Sequence, residues 1–238
     1  MNNLRPLHII MPVKDSVETV RKAVEHLYAS ENKNWRFTVY NDFSSTENTA
    51  ILETLAKQYG FTLVNWSERT NHPSPNYRLT LIDAQRQAIE DGADLLIIES
   101  DVLVYSYTVS QLRQARAANT GMLAAVTHDE AGDVNFPYLY ARDWKKETIE
   151  TKKRLSFCCT LLTLELLQAL PFETLDATKD WFDVTISHKS IELGFKNLLM
   201  MNTPVVHLPH SSRPWKRLKY TNPLKYYLLK LFCRRDKI

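Results

Sequence analysis

Short apolar runs alternate with amphipathic stretches through the first hundred residues of the chain. Four runs are typical of buried β-strands: residues 7–13 (LHIIMPV), 36–40 (RFTVY), 61–64 and 94–98 (DLLII). Helical spacing predicts three intervening helices: one after Ser16, one that carries Ile51, Leu52, Leu55 and Tyr59, and one over residues 79–90. Strands that are apolar on both faces and separated by helices predict a mostly parallel, Rossmann-like sheet covered on both sides.

The pattern is less regular in the second half of the chain. Strands are predicted over residues 122–126 and 154–162, and helices over residues 163–170 and 183–193. Residues 127–153 are rich in charged and aromatic side chains, which favours a loop or hairpin above a binding site. A length of 238 residues without repeats or linkers favours one α/β domain.

The formal net charge of +3 conceals a basic C-terminal tail. Residues 213–238 contain nine Lys or Arg and one Asp, so the rest of the chain is net acidic. Asn222 and Pro223 are typical of a helix start, and apolar residues follow at helical spacing, namely Leu224, Tyr227, Leu228 and Leu231. Two interpretations are open. The helix lies on anionic lipid, or its apolar stripe packs on the rest of the protein.

The first thirty residues lack the pattern of a signal peptide, and no apolar run is long enough to span a membrane. We therefore expect a cytoplasmic protein, peripheral at the inner face of the plasma membrane if the tail binds lipid, with no nucleic acid partner. Cys158, Cys159 and Cys233 show no metal-ligand spacing, and we interpret them as reduced structural thiols.

Polar residues follow three of the predicted strands. Pro12 and Val13 end the first strand, Asp42 follows the second, and residues 99–101 (Glu-Ser-Asp) follow the fourth. The carboxyl ends of parallel strands meet at one edge of a sheet, where ligands bind. Two carboxylates there can hold Mg²⁺ or Mn²⁺ against a diphosphate, although an ordinary solvated strand end would look the same.

Four motifs together resemble glycosyltransferase family 2, whose members have the GT-A fold. LHIIMPVKDSVETVRKAVEHL followed by FTVYNDFSST is similar to the family's opening, GADLLIIESD to its acidic metal segment, WFDVTISHKSIELGFK to its base-bearing helix, and VVHLPHSS to its closing segment. They occur in the family's order over residues 7–212. The resemblance implies a catalytic domain over 1–212, with a nucleotide-sugar-binding half (1–104) and an acceptor-binding half (105–212), before a basic helical tail (213–238).

The resemblance also implies a role for each matching residue. Pro12 and Val13 border the nucleobase, Asp42 bonds the base or ribose, and Glu99 lies near the donor's ribose or sugar. Ser100 belongs to the nucleotide-sugar-binding residues, Asp101 and His207 bind the metal, and Asp183 is the general base. Arg78, which follows a proline-containing loop, is a candidate for the donor phosphate. The chain departs from the family at Lys14-Asp15, at Phe43 in place of glycine, at Glu99, and at Phe182, Thr185 and Lys189 around the base.

Each of these residues also has a structural interpretation. Asp42 can form an Asx turn, Asp183 can cap its helix, His207 can be a satisfied histidine at a strand end, and Arg78 can be solvated. Asp180 lies in the same segment as Asp183 but three residues before the position of the family's base, so we expect it to be dispensable.

The activity implied is an inverting transfer in which Asp183 takes the proton of the acceptor hydroxyl. The implied partners are a nucleoside-diphosphate sugar, Mn²⁺ or Mg²⁺, and a saccharide or lipid-linked saccharide in cell-surface polysaccharide or glycolipid synthesis. One alternative is a nucleotidyltransferase, which usually carries a glycine-rich loop after the first strand, where this chain has Met11-Pro12-Val13-Lys14. The other is a catalytically inactive member that binds nucleotide only, which Phe182, Thr185 and Glu99 favour.

Overall fold

The computed structural model describes residues 5–179, 181–209 and 222–232. Nine strands lie within these ranges: β1 (Leu7–Val13), β2 (Arg36–Asn41), β3 (Thr62–Asn65), β4 (Asp94–Ile98), β5 (Val102–Leu103), β6 (Thr120–His128), β7 (Thr148–Glu150), β8 (Cys159–Leu162) and β9 (Lys196–His207). The α-helices of the same ranges are α1 (Val17–Tyr28), α2 (Thr46–Tyr59), α3 (Tyr77–Glu90), α4 (Thr108–Gln114), α5 (Leu164–Ala169), α6 (Phe182–Glu192) and α7 (Pro223–Phe232).

All of these strands form one sheet. Their order is β3-β2-β1-β4-β8-β6-β9-β5, and β7 also pairs with β9. β3, β2, β1 and β4 are parallel neighbours, and β6 is parallel to β9. β8 runs antiparallel to β4 and β6, and β5 and β7 run antiparallel to β9. The predicted mostly parallel sheet is therefore confirmed.

The core consists of two apolar layers, one on each face of the sheet. Successive residues of a strand point to opposite faces, so Ile9 belongs to one layer and Ile10 to the other, and Leu96 and Ile97 divide in the same way. Helix α1 covers the first layer, and helices α3 and α5 cover the second. Burial on both faces explains why these strands are continuously apolar in the sequence.

The predicted strand over 154–162 is too long, because only Cys159–Leu162 pairs as β8. Just before β8, backbone N–H groups donate hydrogen bonds to side chains instead of to a neighbouring strand. The N–H of Leu155 donates to Ser187 Oγ at 2.9 Å, and the N–H of Ser156 donates to Tyr138 Oη at 2.9 Å. A segment buried in this way has the apolar composition of a strand without its pairing.

The described residues fall into two compact units, which divide after Leu208. The second contains α7, whose start at Pro223 agrees with the prediction, and Asn222 Oδ1 caps it by accepting from the N–H of Lys225 at 3.1 Å. Leu224 is 74% exposed, and Tyr227 and Leu228 are also exposed. Among the described helices, none is long and apolar enough to cross a membrane.

Candidate active site

Three neighbouring parallel strands end at one edge of the sheet, where the sequence predicts ligand-binding residues. β2, β1 and β4 are adjacent, so their carboxyl ends meet. Val13 ends β1, one residue after Pro12, and its carbonyl accepts a hydrogen bond of 2.8 Å from the N–H of Asp42. Residues 99–101 follow β4 directly. The topology thus aligns the three polar strand ends that the sequence singles out.

Asp15 joins the loop after β1 to the loop after β2. Its carboxylate accepts from the N–H of Ser45 at 2.7 Å and from Asn48 Nδ2 at 3.0 Å. The hydrogen bond from the Ser45 backbone is the largest cause of the lowered pKa of Asp15. Across from it, Phe43 has a left-handed φ of 58°, where the resembled family has glycine. A residue with a side chain costs about 1–2 kcal/mol in this conformation.

Asp42 binds the segment that precedes α3. Oδ2 accepts from Ser74 Oγ at 2.7 Å and from the N–H of Asn76 at 2.9 Å, and Oδ1 accepts from Asn76 Nδ2 at 2.8 Å. The partners are more than thirty residues away in sequence, so the Asx-turn interpretation is wrong. Three of roughly four acceptor positions of this carboxylate are occupied, which leaves one for a ligand.

Arg78 ties α3 to the segment between α5 and α6. Nε donates to the carbonyl of Leu175 at 2.8 Å, and Nη2 donates to the carbonyl of Glu173 at 2.5 Å. Arg78 is half-buried, and two of its N–H groups thus bind backbone carbonyls rather than solvent. A guanidinium has five N–H groups, so three remain for a phosphate.

Asp101 and His207 meet because β5 pairs with β9. Val102 lies opposite His207 in this ladder, and the N–H of Leu208 donates to the carbonyl of Asp101 at 2.9 Å. His207 Nε2 lies 3.6 Å from Asp101 Oδ2, and both side chains are buried. Two side chains that can bind a metal are thus brought together from positions 106 residues apart in the sequence.

The orientation of the His207 ring is set by its other nitrogen. Nδ1 lies 2.8 Å from the carbonyl oxygen of Phe136. A carbonyl can only accept, so Nδ1 carries the hydrogen and Nε2 faces Asp101. Burial lowers the pKa of His207, but the hydrogen bond and charge of Asp101 outweigh it and the pKa is raised. A ring whose N–H is held by a backbone carbonyl, which fixes the direction of the other nitrogen, is typical of metal-binding histidines.

Cys158 lies in the same cluster, which the sequence did not predict. The metal-binding atoms of Glu99, Cys158 and His207 lie within 4.8 Å of one another. Cys158 Sγ is 3.4 Å from Glu99 Oε2, and burial is the main cause that raises the pKa of its thiol. The contact forms where β8 pairs with β4, so no local spacing reveals it. Cys158 is free and buried, as expected of a reduced structural thiol, and it also lies where it can bind a metal.

The donor set fits a divalent cation. Asp101 offers a carboxylate oxygen next to His207 Nε2, and His207 also belongs to the group that it forms with Glu99 and Cys158. Carboxylates suit both Mg²⁺ and Mn²⁺, whereas imidazole is more typical of transition metals.

Asp183 lies in the first turn of helix α6. The N-cap of α6 is Trp181, so the interpretation of Asp183 as the cap is wrong. Its Oδ2 lies 3.3 Å from Arg154 Nη1. The Arg154 guanidinium lies 5.7 Å from the centre of the Phe136 ring. Sequence reasoning missed Arg154, and Asp180 lies outside the described residues.

Comparison with known proteins identifies the fold. The sequence matches no protein-family model and no curated protein. Three similar solved structures are a mannosyltransferase, PcManGT from Pyrobaculum calidifontis, in complex with GDP-Man and Mn²⁺ (TM-score 0.68, 14% identity), GalNAc-T7 with UDP, GalNAc and Mn²⁺ (0.65, 13%), and S. aureus TarS (0.62, 14%). They are matched over 99%, 89% and 90% of this chain.

The chain thus has the GT-A-type fold of glycosyltransferases. It spans 66%, 45% and 38% of the length of the three matched chains. At this level of identity the likeness concerns the fold and not the reaction.

Proposed function

We propose that this protein is a metal-dependent glycosyltransferase that moves a sugar from a nucleoside-diphosphate donor to a hydroxyl acceptor. The buried Asp101–His207 pair at the carboxyl edge of the sheet carries the proposal, because it joins a metal-binding donor set to the place where this fold binds ligands. Two of the similar structures contain Mn²⁺ with a nucleotide sugar or a nucleotide.

Asp101 and His207 would hold the cation, and Glu99 would support it from the neighbouring position. A divalent cation at this place neutralises charge on a departing diphosphate. The chain's own residues supply the rest: Asp101 and His207 are buried and fixed by β5 and β9, so little reorganisation is needed to receive the ion.

The donor is assigned to the loops after β1 and β2. Pro12 and Val13 would border the nucleobase, Asp42 would use its remaining acceptor position for base or ribose, and Ser100 would lie beside the donor sugar. Arg78 would offer its remaining N–H groups to a phosphate. The hydrogen bonds of Asp15 and Asp42 support this assignment, because they fix both loops before any ligand binds.

The base is assigned to Asp183, which acts in an inverting displacement without an enzyme nucleophile. Asp183 would accept the proton of the acceptor hydroxyl, and Arg154 would position its carboxylate through the 3.3 Å contact. The neighbouring Phe136 ring is 50% exposed, and an exposed ring can stack on the apolar face of a sugar. These features support a saccharide acceptor on this side of the site.

The tail is assigned to an anionic membrane surface, where a lipid-linked saccharide would be met. Leu224, Tyr227 and Leu228 of α7 are exposed, within a segment rich in Lys and Arg. Each cation near an anionic surface contributes about 1 kcal/mol. We expect the full chain to sediment with vesicles of phosphatidylglycerol and phosphatidylcholine, and a chain that ends at Ser212 to stay in solution. Equal sedimentation of the two chains would contradict the membrane assignment.

The central test measures donor binding and product with the same protein. Thermal unfolding with UDP or GDP should shift upward in Mn²⁺ and not in chelator, because a ligand that binds the native state raises its stability. Asp101→Ala should abolish the Mn²⁺-dependent part of the shift, whereas Glu53→Ala, at an exposed acid of α2, should keep it. If nucleotide raises the unfolding temperature of the unmodified chain equally in Mn²⁺ and in chelator, the metal has no part in donor binding and that part of the proposal is wrong.

The product then separates the alternatives. A glycosyltransferase releases a nucleoside diphosphate from a nucleotide sugar, whereas a nucleotidyltransferase releases or consumes pyrophosphate. Binding of nucleotide sugars without either product, across a panel of acceptors, would indicate a catalytically inactive member of the fold.

A further inference from the structure

We propose that Cys158 makes the metal site a mixed oxygen, nitrogen and sulfur site that binds Zn²⁺ and Cd²⁺ more tightly than Mn²⁺ or Mg²⁺. The inference rests on the proposed metal site, but it does not depend on sugar transfer. It means that a second class of cation binds at this site and competes with the cation of the proposed reaction.

The geometry brings three metal-binding side chains together and places a fourth beside one of them. Ligand atoms of Glu99, Cys158 and His207 lie within 4.8 Å of one another, and Asp101 Oδ2 is 3.6 Å from His207 Nε2. In a tetrahedral zinc site, bond lengths of 2.0–2.3 Å place neighbouring ligand atoms about 3.6 Å apart. The cluster therefore needs a contraction of about 1 Å, which side-chain rotation can supply.

The backbone holds Cys158 in this position. The N–H of Glu99 donates to the carbonyl of Cys158 at 2.9 Å, and the ladder between β4 and β8 continues from there. On its other side, Cys158 Sγ lies 3.3 Å from Ser156 Oγ. Cys158 is thus held next to Glu99 by a backbone hydrogen bond directly beyond the paired ends of β4 and β8.

The chemistry of the thiol decides which cation it prefers. Thiolate sulfur binds Zn²⁺ and Cd²⁺ strongly, whereas Mg²⁺ and Mn²⁺ prefer oxygen ligands. The thiol is protonated without a cation, so binding forms the metal–sulfur bond and releases one proton to solvent. In the proposed function, Mn²⁺ is held by Asp101 and His207 without this step. The two kinds of cation therefore use overlapping but different sets of ligands.

Cys159 provides a matched control. It is the next residue in the chain, it is equally buried, and it lies outside the cluster of metal-binding side chains found among the described residues. Burial raises the pKa of its thiol to about 12. Cys159→Ser tests the cost of changing a buried thiol in β8 without touching the cation. Cys233→Ser tests the remaining thiol.

The experiment titrates the full chain with Cd²⁺ and follows the ultraviolet sulfur-to-cadmium charge-transfer band. We expect one band per chain in the unmodified protein, in Cys159→Ser and in Cys233→Ser, and no band in Cys158→Ser or Cys158→Ala. Competition with a chelator should show Zn²⁺ affinity at least about tenfold weaker in both Cys158 variants, since even partners one step from the metal typically cost that much. Mn²⁺ affinity, read from its paramagnetic resonance signal, should change by less than that.

The outcomes separate this inference from the proposed function. A band that persists in both Cys158 variants, or the absence of a band in the unmodified chain, overturns the thiol site. If Mn²⁺ binds the unmodified chain and Cd²⁺ gives no band, the proposed metal role stands and this inference fails. If the band is present and depends on Cys158 while Mn²⁺ does not bind, the inference stands and the manganese role fails.

Discussion

The donor side and the metal side of the site are built by different means. On the donor side, Asp15 and Asp42 hold the loops after β1 and β2 through hydrogen bonds between neighbouring loops. On the metal side, Asp101, Cys158 and His207 come together through strand pairings between distant parts of the chain. The first region therefore depends on side-chain hydrogen bonds between loops, whereas the second depends on which strands pair.

The largest expected effect concerns Asp183, the proposed general base in α6. Removal of a general base typically lowers the rate about 10² to 10⁴ fold. Asp183→Asn should lose transfer to this extent and keep its nucleotide affinity, because the hydrogen bonds that hold Asp15 and Asp42 come from residues outside α6. Steady-state transfer and thermal shifts with UDP or GDP measure the two properties.

The matched control for that change is Asp180→Asn, which we expect to keep most of the activity. If Asp180→Asn were inactive while Asp183→Asn transferred sugar near the unmodified rate, the two assignments would be reversed. Loss of nucleotide affinity in Asp183→Asn would show instead that donor and acceptor sides are coupled.

Much of the fold was predictable because its first half is locally consistent. The apolar run Asp94–Ile98 is bounded as predicted, since full burial on both faces leaves an unambiguous pattern. The start of α7 at Pro223 was equally clear from its helix-start residues. The prediction of a strand over residues 154–158 was wrong, because a buried segment whose backbone binds side chains has the same apolar composition as a strand.

The candidate site was predictable only in part, for the same reason. The alignment of Asp42 with the ends of β1 and β4 follows from parallel topology. The contact of Cys158 with Glu99 and that of Arg154 with Asp183 join residues 59 and 29 positions apart, and nothing in their neighbourhoods indicates a partner. Cys158 could be recognised as part of the site only once β8 was known to pair antiparallel with β4.

A smaller effect is expected for Asp42→Asn, which tests whether the donor loops are fixed without ligand. The NH₂ group of the new amide would face an O–H or N–H group that now donates to a carboxylate oxygen. The loss of that acceptor should lower the free energy of unfolding by about 1–3 kcal/mol. Denaturant unfolding of the ligand-free protein should report this loss. Unchanged stability would mean that the Ser74–Asn76 segment contributes little to the folded state, and the contrast between the two sides would weaken.

The smallest expected effect concerns Asp15, whose carboxylate is largely exposed, and it depends on pH. Its pKa is lowered in the folded state, chiefly by the hydrogen bond from the Ser45 backbone. The carboxylate therefore stabilises the protein above its unfolded pKa of 3.8, and this contribution is lost as the pH falls through the folded value. Asp15→Asn should lower the melting temperature at neutral pH, and the difference should shrink toward zero in acid. A difference that is constant with pH would contradict this origin.

The irregular pairing of β9 with β6 has a mechanical consequence. Met200 lies opposite Ala125 and Pro204 lies opposite Val126, so three residues of β9 bulge out between two regular stretches. The bulge is anchored, because the N–H of Met201 donates to the carbonyl of Glu147 at 2.7 Å. A one-residue slip at the α6 end of β9 would be absorbed there instead of turning His207 to the opposite face. Strand β9 thus consists of two regular segments joined by the bulge. We expect insertions or deletions in the bulge to be tolerated better than insertions or deletions between Pro204 and His207.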